Sequence, residues 1–212
     1  MKGTKDFIIQ VKPYSETFKT ESGVELYGNV DFTAERLSNR VAKVIGTPGL
    51  FESDIKEGYE VLIDASMLYR QIYNGTKQWY QNVVDEDKEI FHLDKELIVC
   101  YRKNADSDWI GFLENSLVQP LMEETKINTT LILPANVSQK KFTGKVTMTY
   151  SNTELNELGV VNGDTLHINK LGGIKYWLNG EEYHWVRNKD IYAISLNKQV
   201  ALNGNTQIEY EL

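Results

Sequence analysis

Ile55-Lys56-Glu57-Gly58-Tyr59-Glu60-Val61-Leu62-Ile63 and Val160-Val161-Asn162-Gly163-Asp164-Thr165-Leu166-His167-Ile168 read as one pattern written twice. In each, a polar turn centred on glycine runs into a short strand of mainly aliphatic residues. The parts before them repeat in the same order. Gly23-Val24-Glu25-Leu26, in a polar stretch, precedes Val41-Ala42-Lys43-Val44-Ile45-Gly46, and Leu131-Ile132-Leu133, in another polar stretch, precedes Gly144-Lys145-Val146. The offset between copies is 107 from Leu26 to Leu133 and 105 from Gly58 to Gly163, then falls to 94 from Leu97 to Ile191. That fall places a longer loop between Gly58 and Leu97 in the first copy. Self-similarity of this kind denotes two copies of one small domain.

The chain has 212 residues, enough for one large or two small domains. Its net charge is −7 and both halves are acidic, which argues against an electrostatic footprint for nucleic acid or for an anionic membrane surface. The single cysteine, Cys100, lies in the apolar run Leu97-Ile98-Val99-Cys100-Tyr101 and reads as a core residue; alone it allows no internal disulfide and no cysteine zinc site. The three histidines, His92, His167 and His184, lack close-spaced partners, so no metal site is expected. No run approaches the ~20 apolar residues that span a bilayer, and the N-terminus lacks a signal-peptide core, so the expected location is the cytoplasm. No phosphate-cradling glycine loop, nucleophile elbow or His-Glu-x-x-His is present, so neither catalysis nor a cofactor is expected.

Strand signals dominate: Phe7 to Val11, Val41 to Ile45, Glu60 to Ile63 and Glu96 to Tyr101, then Ser116 to Gln119, Lys145 to Tyr150, Thr165 to Asn169, Ile174 to Leu178, Glu182 to Val186 and Ile191 to Leu196. Asn179-Gly180 marks a tight hairpin, and Asn203-Gly204 suggests another at the C-terminus. Ala34 to Ala42 is the one candidate for a helical turn. Tyr176, Trp177, Tyr183, His184 and Trp185 flank the Asn179 turn; they read as cross-strand packing or as a substrate-facing or intersubunit surface. The fold class is all-β, in two units, residues 1–104 and 105–212, with a boundary in the polar stretch 102–108.

At these residues the chain resembles the GroES co-chaperonin family. Ser116-Leu117-Val118-Gln119-Pro120 looks like the family's first strand, and Thr129-Thr130-Leu131-Ile132-Leu133-Pro134 like its mobile loop with an apolar tripeptide. Phe142-Thr143-Gly144-Lys145-Val146 looks like the return from that loop, Val161-Asn162-Gly163-Asp164-Thr165-Leu166 like its Val-x-x-Gly-Asp turn, and Lys189-Asp190-Ile191-Tyr192-Ala193-Ile194 like its final strand. The resemblance covers about 115–195 and recurs more weakly over 6–102. It implies two tandem GroES-like small β-barrels joined by a short linker, with a mobile loop at about 126–143 and a degraded one at about 19–40. Glu25 stands where the family has an apolar residue. Little chain separates the loop-exit strand from the Gly58 or Gly163 turn, so the family's roof hairpin is missing; phage-encoded co-chaperonins resemble this roofless form, which would place the protein in a host cytoplasm.

The resemblance further implies a co-chaperonin that caps a GroEL-type chaperonin ring in its nucleotide-bound state and encloses a folding client. Leu131, Ile132 and Leu133 would be the main chaperonin-binding residues, Val24 and Leu26 lesser ones. Burying three aliphatic side chains yields about 1.5–3 kcal/mol each before ordering costs, so one loop binds weakly and several on a ring bind tightly. Family members form sevenfold rings. A two-domain chain could stack its domains in a ring of seven chains or set them side by side in a ring of another count; the degraded first loop favours stacking. The alternatives are an oligomeric structural β-module of a viral tail or capsid, a catalytic domain of GroES-like fold, which lacks zinc ligands and a dinucleotide half here, and an oligonucleotide-binding barrel, disfavoured by the acidic charge.

Overall fold

Short runs of β-branched and aromatic residues, broken by Gly, Asn and Asp, produce strands that turn back on themselves. The structure is a computed structural model and describes residues 1–12, 17–27, 41–68, 70–73, 77–80, 82–126, 138–169 and 172–196. The first half holds β1 (Phe7–Gln10), β2 (Thr17–Lys19), β3 (Glu25–Tyr27), β4 (Val41–Gly46), β5 (Glu60–Ile63), β6 (Arg70–Tyr73), β7 (Lys77–Tyr80), β8 (Val83–Asp85), β9 (Ile90–Leu93) and β10 (Ile98–Arg102). The second holds β11 (Ile110–Gly111), β12 (Asn115–Lys126), β13 (Ser138–Tyr150), a five-residue helix α1 (Thr153–Glu157), β14 (Thr165–Ile168), β15 (Ile174–Leu178), β16 (Glu181–Arg187) and β17 (Ile191–Ser195). The expected helical turn at 34–42 and the C-terminal hairpin around Asn203 lie outside the described residues, except that Val41 and Ala42 are strand.

The two main sheets have one design. Their orders are β11-β10-β5-β4-β1-β9-β8 and β15-β16-β12-β13-β14-β17. Read in the opposite sense, the second matches the first strand for strand from β10 to β8, and only β11 is extra. The registers coincide as well. Ile8↔Gly46 and Ile9↔Val44 flank a bulge between β1 and β4, and Leu117↔Tyr150 and Val118↔Met148 flank the same bulge between β12 and β13. Gly58 donates to the Val44 carbonyl and Val44 to that of Tyr59, both at 2.8 Å; Gly163 donates to Met148 and Met148 to Asp164, again at 2.8 Å. Both glycines have positive φ, 90° and 95°, which a side chain would strain. The extra length in the first half is the hairpin β6–β7, where the offset predicts a longer loop. No hairpin stands between β4 and β5 or between β13 and β14; the latter gap holds α1, whose N-cap Asn152 accepts from the Leu155 amide at 3.0 Å.

Alternation along the strands sets the cores. In β4, Ala42, Val44 and Gly46 point inward and Lys43 outward. Phe7, Ile9, Val44, Val61, Ile63, Phe91, Leu93 and Ile98 form the first core, and Val118, Val146, Met148, Leu155, Val160, Leu166, Ile168 and Val186 the second. A third cluster lies between the halves: Leu62, Val99 and Cys100 from the first, with Trp109, Leu117, Tyr176, Leu178, Tyr183 and Trp185 from the second. The sheets are not closed barrels. On the first, the outer edge of β10 is taken by β11, so it is not available to β8.

Candidate functional site

β12 and β13 outrun their sheet. Beyond Pro120↔Val146 they continue as a two-stranded ribbon through Met122↔Phe142, Glu123↔Lys141, Glu124↔Lys140 and Thr125↔Gln139 to Lys126↔Ser138. Residues 138–143, assigned to the loop from their polar composition, are therefore strand, and the segment at the ribbon tip is 127–137. Leu131, Ile132 and Leu133 fall in that segment and lie outside the described residues.

The ribbon is rooted in a buried pocket of side chains. Phe142 packs edge-on to the His184 ring, centroids 5.2 Å apart. His184 is buried on β16, with its Nε2 3.7 Å from the Glu182 carboxylate. Its Nδ1 and the hydroxyl of Thr143 are buried without a hydrogen-bond partner. Burial holds the His184 pKa below the ordinary imidazole value, as does the Lys175 charge, against an opposing pull from Glu182.

The matching position in the first half is built differently. β2 and β3 form a small hairpin with Phe18↔Leu26 and Lys19↔Glu25 in register. Thr20 closes its turn: its amide donates to the Val24 carbonyl at 2.9 Å, and its hydroxyl accepts from the Val24 amide at 3.0 Å. Gly23 supplies the positive φ of 81°. Val24 stands exposed in this turn, at 54%, and Leu26 lies two residues on in β3. Val24 and Leu26 thus share one hairpin.

The junction between the halves was legible only in part. Tyr176, Tyr183 and Trp185 are buried in the shared cluster, with Tyr176 opposite Tyr183 across β15 and β16, so they pack across strands and against the other half at once. The Tyr176 hydroxyl donates to the Ile63 carbonyl at 3.0 Å. Asn115 links three elements: its amide donates to the Ile98 carbonyl at 2.8 Å, and its side-chain oxygen accepts from the Trp185 indole at 2.9 Å. The sequence offered no signal for Asn115 beyond its place at the start of a strand. Arg102 pairs with Glu60, Nε to Oε2 at 2.7 Å, and its guanidinium lies over the Trp109 ring. Burial pushes the Cys100 thiol well above its ordinary pKa, so it is an inert core group. Among the described residues no group of three His, Cys, Asp or Glu side chains could hold a metal ion, and no helix is long and apolar enough to cross a membrane.

The span that holds the projecting ribbon and the Gly163-Asp164 turn is also the span that matches known proteins. The chaperonin 10 Kd subunit family model matches residues 111–195, from β11 through β17. The co-chaperonin GroES of Porphyromonas gingivalis is 32% identical over 78 residues, which cover 37% of this chain and 88% of that protein. That of Desulfosudis oleivorans is 36% identical over 84 residues, covering 37% of this chain and 87% of that protein. The chain belongs to the chaperonin 10 Kd family.

Proposed function

We propose that the protein is a non-enzymatic co-chaperonin made of two GroES-like units, residues 1–104 and 105–212, that caps a GroEL-type chaperonin ring in its nucleotide-bound state and encloses a folding client in the cytoplasm. The observation that carries this reading is the family match over 111–195, because that span contains the ribbon and the whole loop at its tip. The relatives matched over most of their length are co-chaperonins by name.

In this reading Leu131, Ile132 and Leu133 are the docking residues. They are three adjacent aliphatic residues in a stretch otherwise rich in Asn, Thr, Ser, Gln and Lys, carried at the end of a two-stranded arm. Such a segment gains by placing its apolar side chains in a groove of another protein. Val24 and Leu26 make a lesser contribution, since Glu25 lies between them and the β2–β3 hairpin holds them in a closed turn.

The test is capture of a GroEL-type chaperonin without nucleotide, with ADP and with ATP. The wild-type chain is compared with the triple variant Leu131→Asp, Ile132→Asp, Leu133→Asp and with Val24→Asp. Nucleotide-dependent capture that the triple variant loses and Val24→Asp only weakens is the expected result. Absence of capture in every nucleotide state, by a chain with native circular dichroism, would instead support an oligomeric structural β-module.

A further inference from the structure

The β12–β13 ribbon leaves its sheet through a joint. Between Pro120↔Val146 and Met122↔Phe142 the register shifts, and Thr143, Gly144 and Lys145 stand against Leu121 alone. A bulge of this kind bends the strand that carries it. Gly144 has a φ of 90°, a conformation that glycine adopts without strain. On its other side β12 has already parted from β16: their ladder ends at Val118↔His184, and Pro120 offers no amide proton to a neighbour. Beyond the joint the ribbon is two strands wide, and two strands alone are marginally stable in water.

One side chain from beyond the joint reaches back to the sheet. Phe142 packs on the His184 ring and against the core cluster that contains Val118, Val146 and Val186. Its cross-strand neighbour Met122 is 47% exposed. The contact of Gln119 with Glu181, before the joint, is exposed and 3.5 Å long. The first half holds its strand end differently. There the β1–β4 ladder ends at Gln10↔Lys43, the Val11 amide donates to the Glu89 carbonyl at 3.1 Å, and the Gln10 side chain donates to the Lys88 carbonyl at 3.2 Å. Hydrogen bonds to the β8–β9 turn fix that end, whereas a single ring holds the ribbon.

We propose that Phe142 is a positioning residue: seated on His184, it locks the joint at Gly144 and presents the β12–β13 ribbon in one direction before any partner arrives. The lock can open. The Thr143 hydroxyl and His184 Nδ1 are buried without a hydrogen-bond partner beside it, so lifting Phe142 loses apolar contact but lets water reach both atoms. The purpose of the lock rests on the co-chaperonin reading, because an arm with a set direction gives up less freedom when it docks. Its geometry is tested without a chaperonin.

The test is a distance between two spin labels in the full chain, measured by pulsed electron resonance, from Lys140→Cys on the ribbon to Glu157→Cys on α1; Cys100 is buried and stays unlabelled. One narrow distance distribution is expected with Phe142 in place, and a broad one in Phe142→Ala with an unchanged circular dichroism spectrum. Met122→Ala removes the apolar side chain across the same rung and should leave the distribution narrow. His184→Ala withdraws the seat from beneath the ring and should broaden it, which decides the matter should Phe142→Ala not fold. A distribution already broad with Phe142 in place, one that stays narrow without the ring or its seat, or equal broadening in Met122→Ala overturns the proposal. Capture of a GroEL-type chaperonin by Phe142→Ala should be weaker by roughly two- to tenfold per arm, and not abolished as in the triple variant. Capture equal to wild type from a broadened arm overturns the positioning role. A wild type that captures no chaperonin sinks the co-chaperonin reading instead, while the distances still decide the joint.

Discussion

Asp6 with His92 and Asn115 with Trp185 hold the same two positions of the two sheets. In the first half the pair is a carboxylate and an imidazole 2.8 Å apart, both partly in solvent. In the second it is a buried amide and indole 2.9 Å apart, and the amide reaches on to the Ile98 carbonyl of the other half. One backbone design thus carries a partly exposed pair in one half and, where the other half packs on it, a buried pair. The difference teaches that the residue types follow the junction and not the fold.

Removing the ring at each of these positions tests that view most severely. Trp185→Ala should destabilise the protein by about 3–5 kcal/mol, the usual cost of deleting a buried aromatic side chain, with the Asn115 oxygen left unpaired as well. His92→Ala should cost no more than about 1 kcal/mol, the range of exposed ion pairs. Urea titrations followed by circular dichroism measure both. A single transition is expected, since one cluster joins the two halves. Equal costs at the two positions would refute the account.

A milder cut is Tyr176→Phe, which removes the hydroxyl that donates to Ile63 across the junction. The buried carbonyl loses a partner, at about 1–2 kcal/mol. Tyr183→Phe is the control: its hydroxyl bonds Glu181 within the second half, in a partly exposed site, and its loss should cost less. The glycine turns should show no asymmetry. Gly58→Ala and Gly163→Ala meet no atom within 4 Å and differ little in φ, so each should cost about 1 kcal/mol of left-handed strain. A large difference between them would mean that the turns are not equivalent.

Those turns were legible because only glycine suits their backbone, and the Asn179-Gly180 hairpin because its residues supply two successive positive φ values, 53° and 84°. The drop in offset correctly located the extra length that became β6–β7. Other features had no local signature. α1 is too short for a helical period, and its cap Asn152 is one polar residue among several. Residues 138–143 look like loop because their composition is polar; they are strand because β12 lies beside them, and pairing is not written in one strand alone. Asn115 becomes important only when β10 and β16 converge on it. The proposed docking residues divide in the same way: the tripeptide Leu131 to Leu133 stands out in the sequence by contrast with its neighbours, whereas the turn that encloses Val24 depends on a hydroxyl four residues away.

The smallest expected difference lies beneath the ribbon. His184 occupies the place that Phe91 holds in the first sheet: Val118↔His184 in one corresponds to Ile9↔Phe91 in the other. Phe91 is fully buried and does not titrate; His184 is buried and does. Burial favours its neutral form, Lys175 on β15 adds to that, and Glu182 on its own strand opposes it, with a net lowering below the ordinary imidazole value of about 6.5. In the unfolded chain the same imidazole takes up a proton near that value. As pH falls through about 6.5, the unfolded state therefore binds a proton before the folded state does, and stability declines until the folded-state pKa is passed. Above 6.5 the contribution is fully present. His184→Phe restores the residue of the first half and removes this dependence. Urea midpoints at pH 7.5 and 5.5 should fall more on acidification for the wild type than for the variant, while the shared loss from carboxylates cancels in the comparison. Parallel pH profiles would show that the ring is solvated enough to titrate normally, and the two sheets would then be alike at this position too.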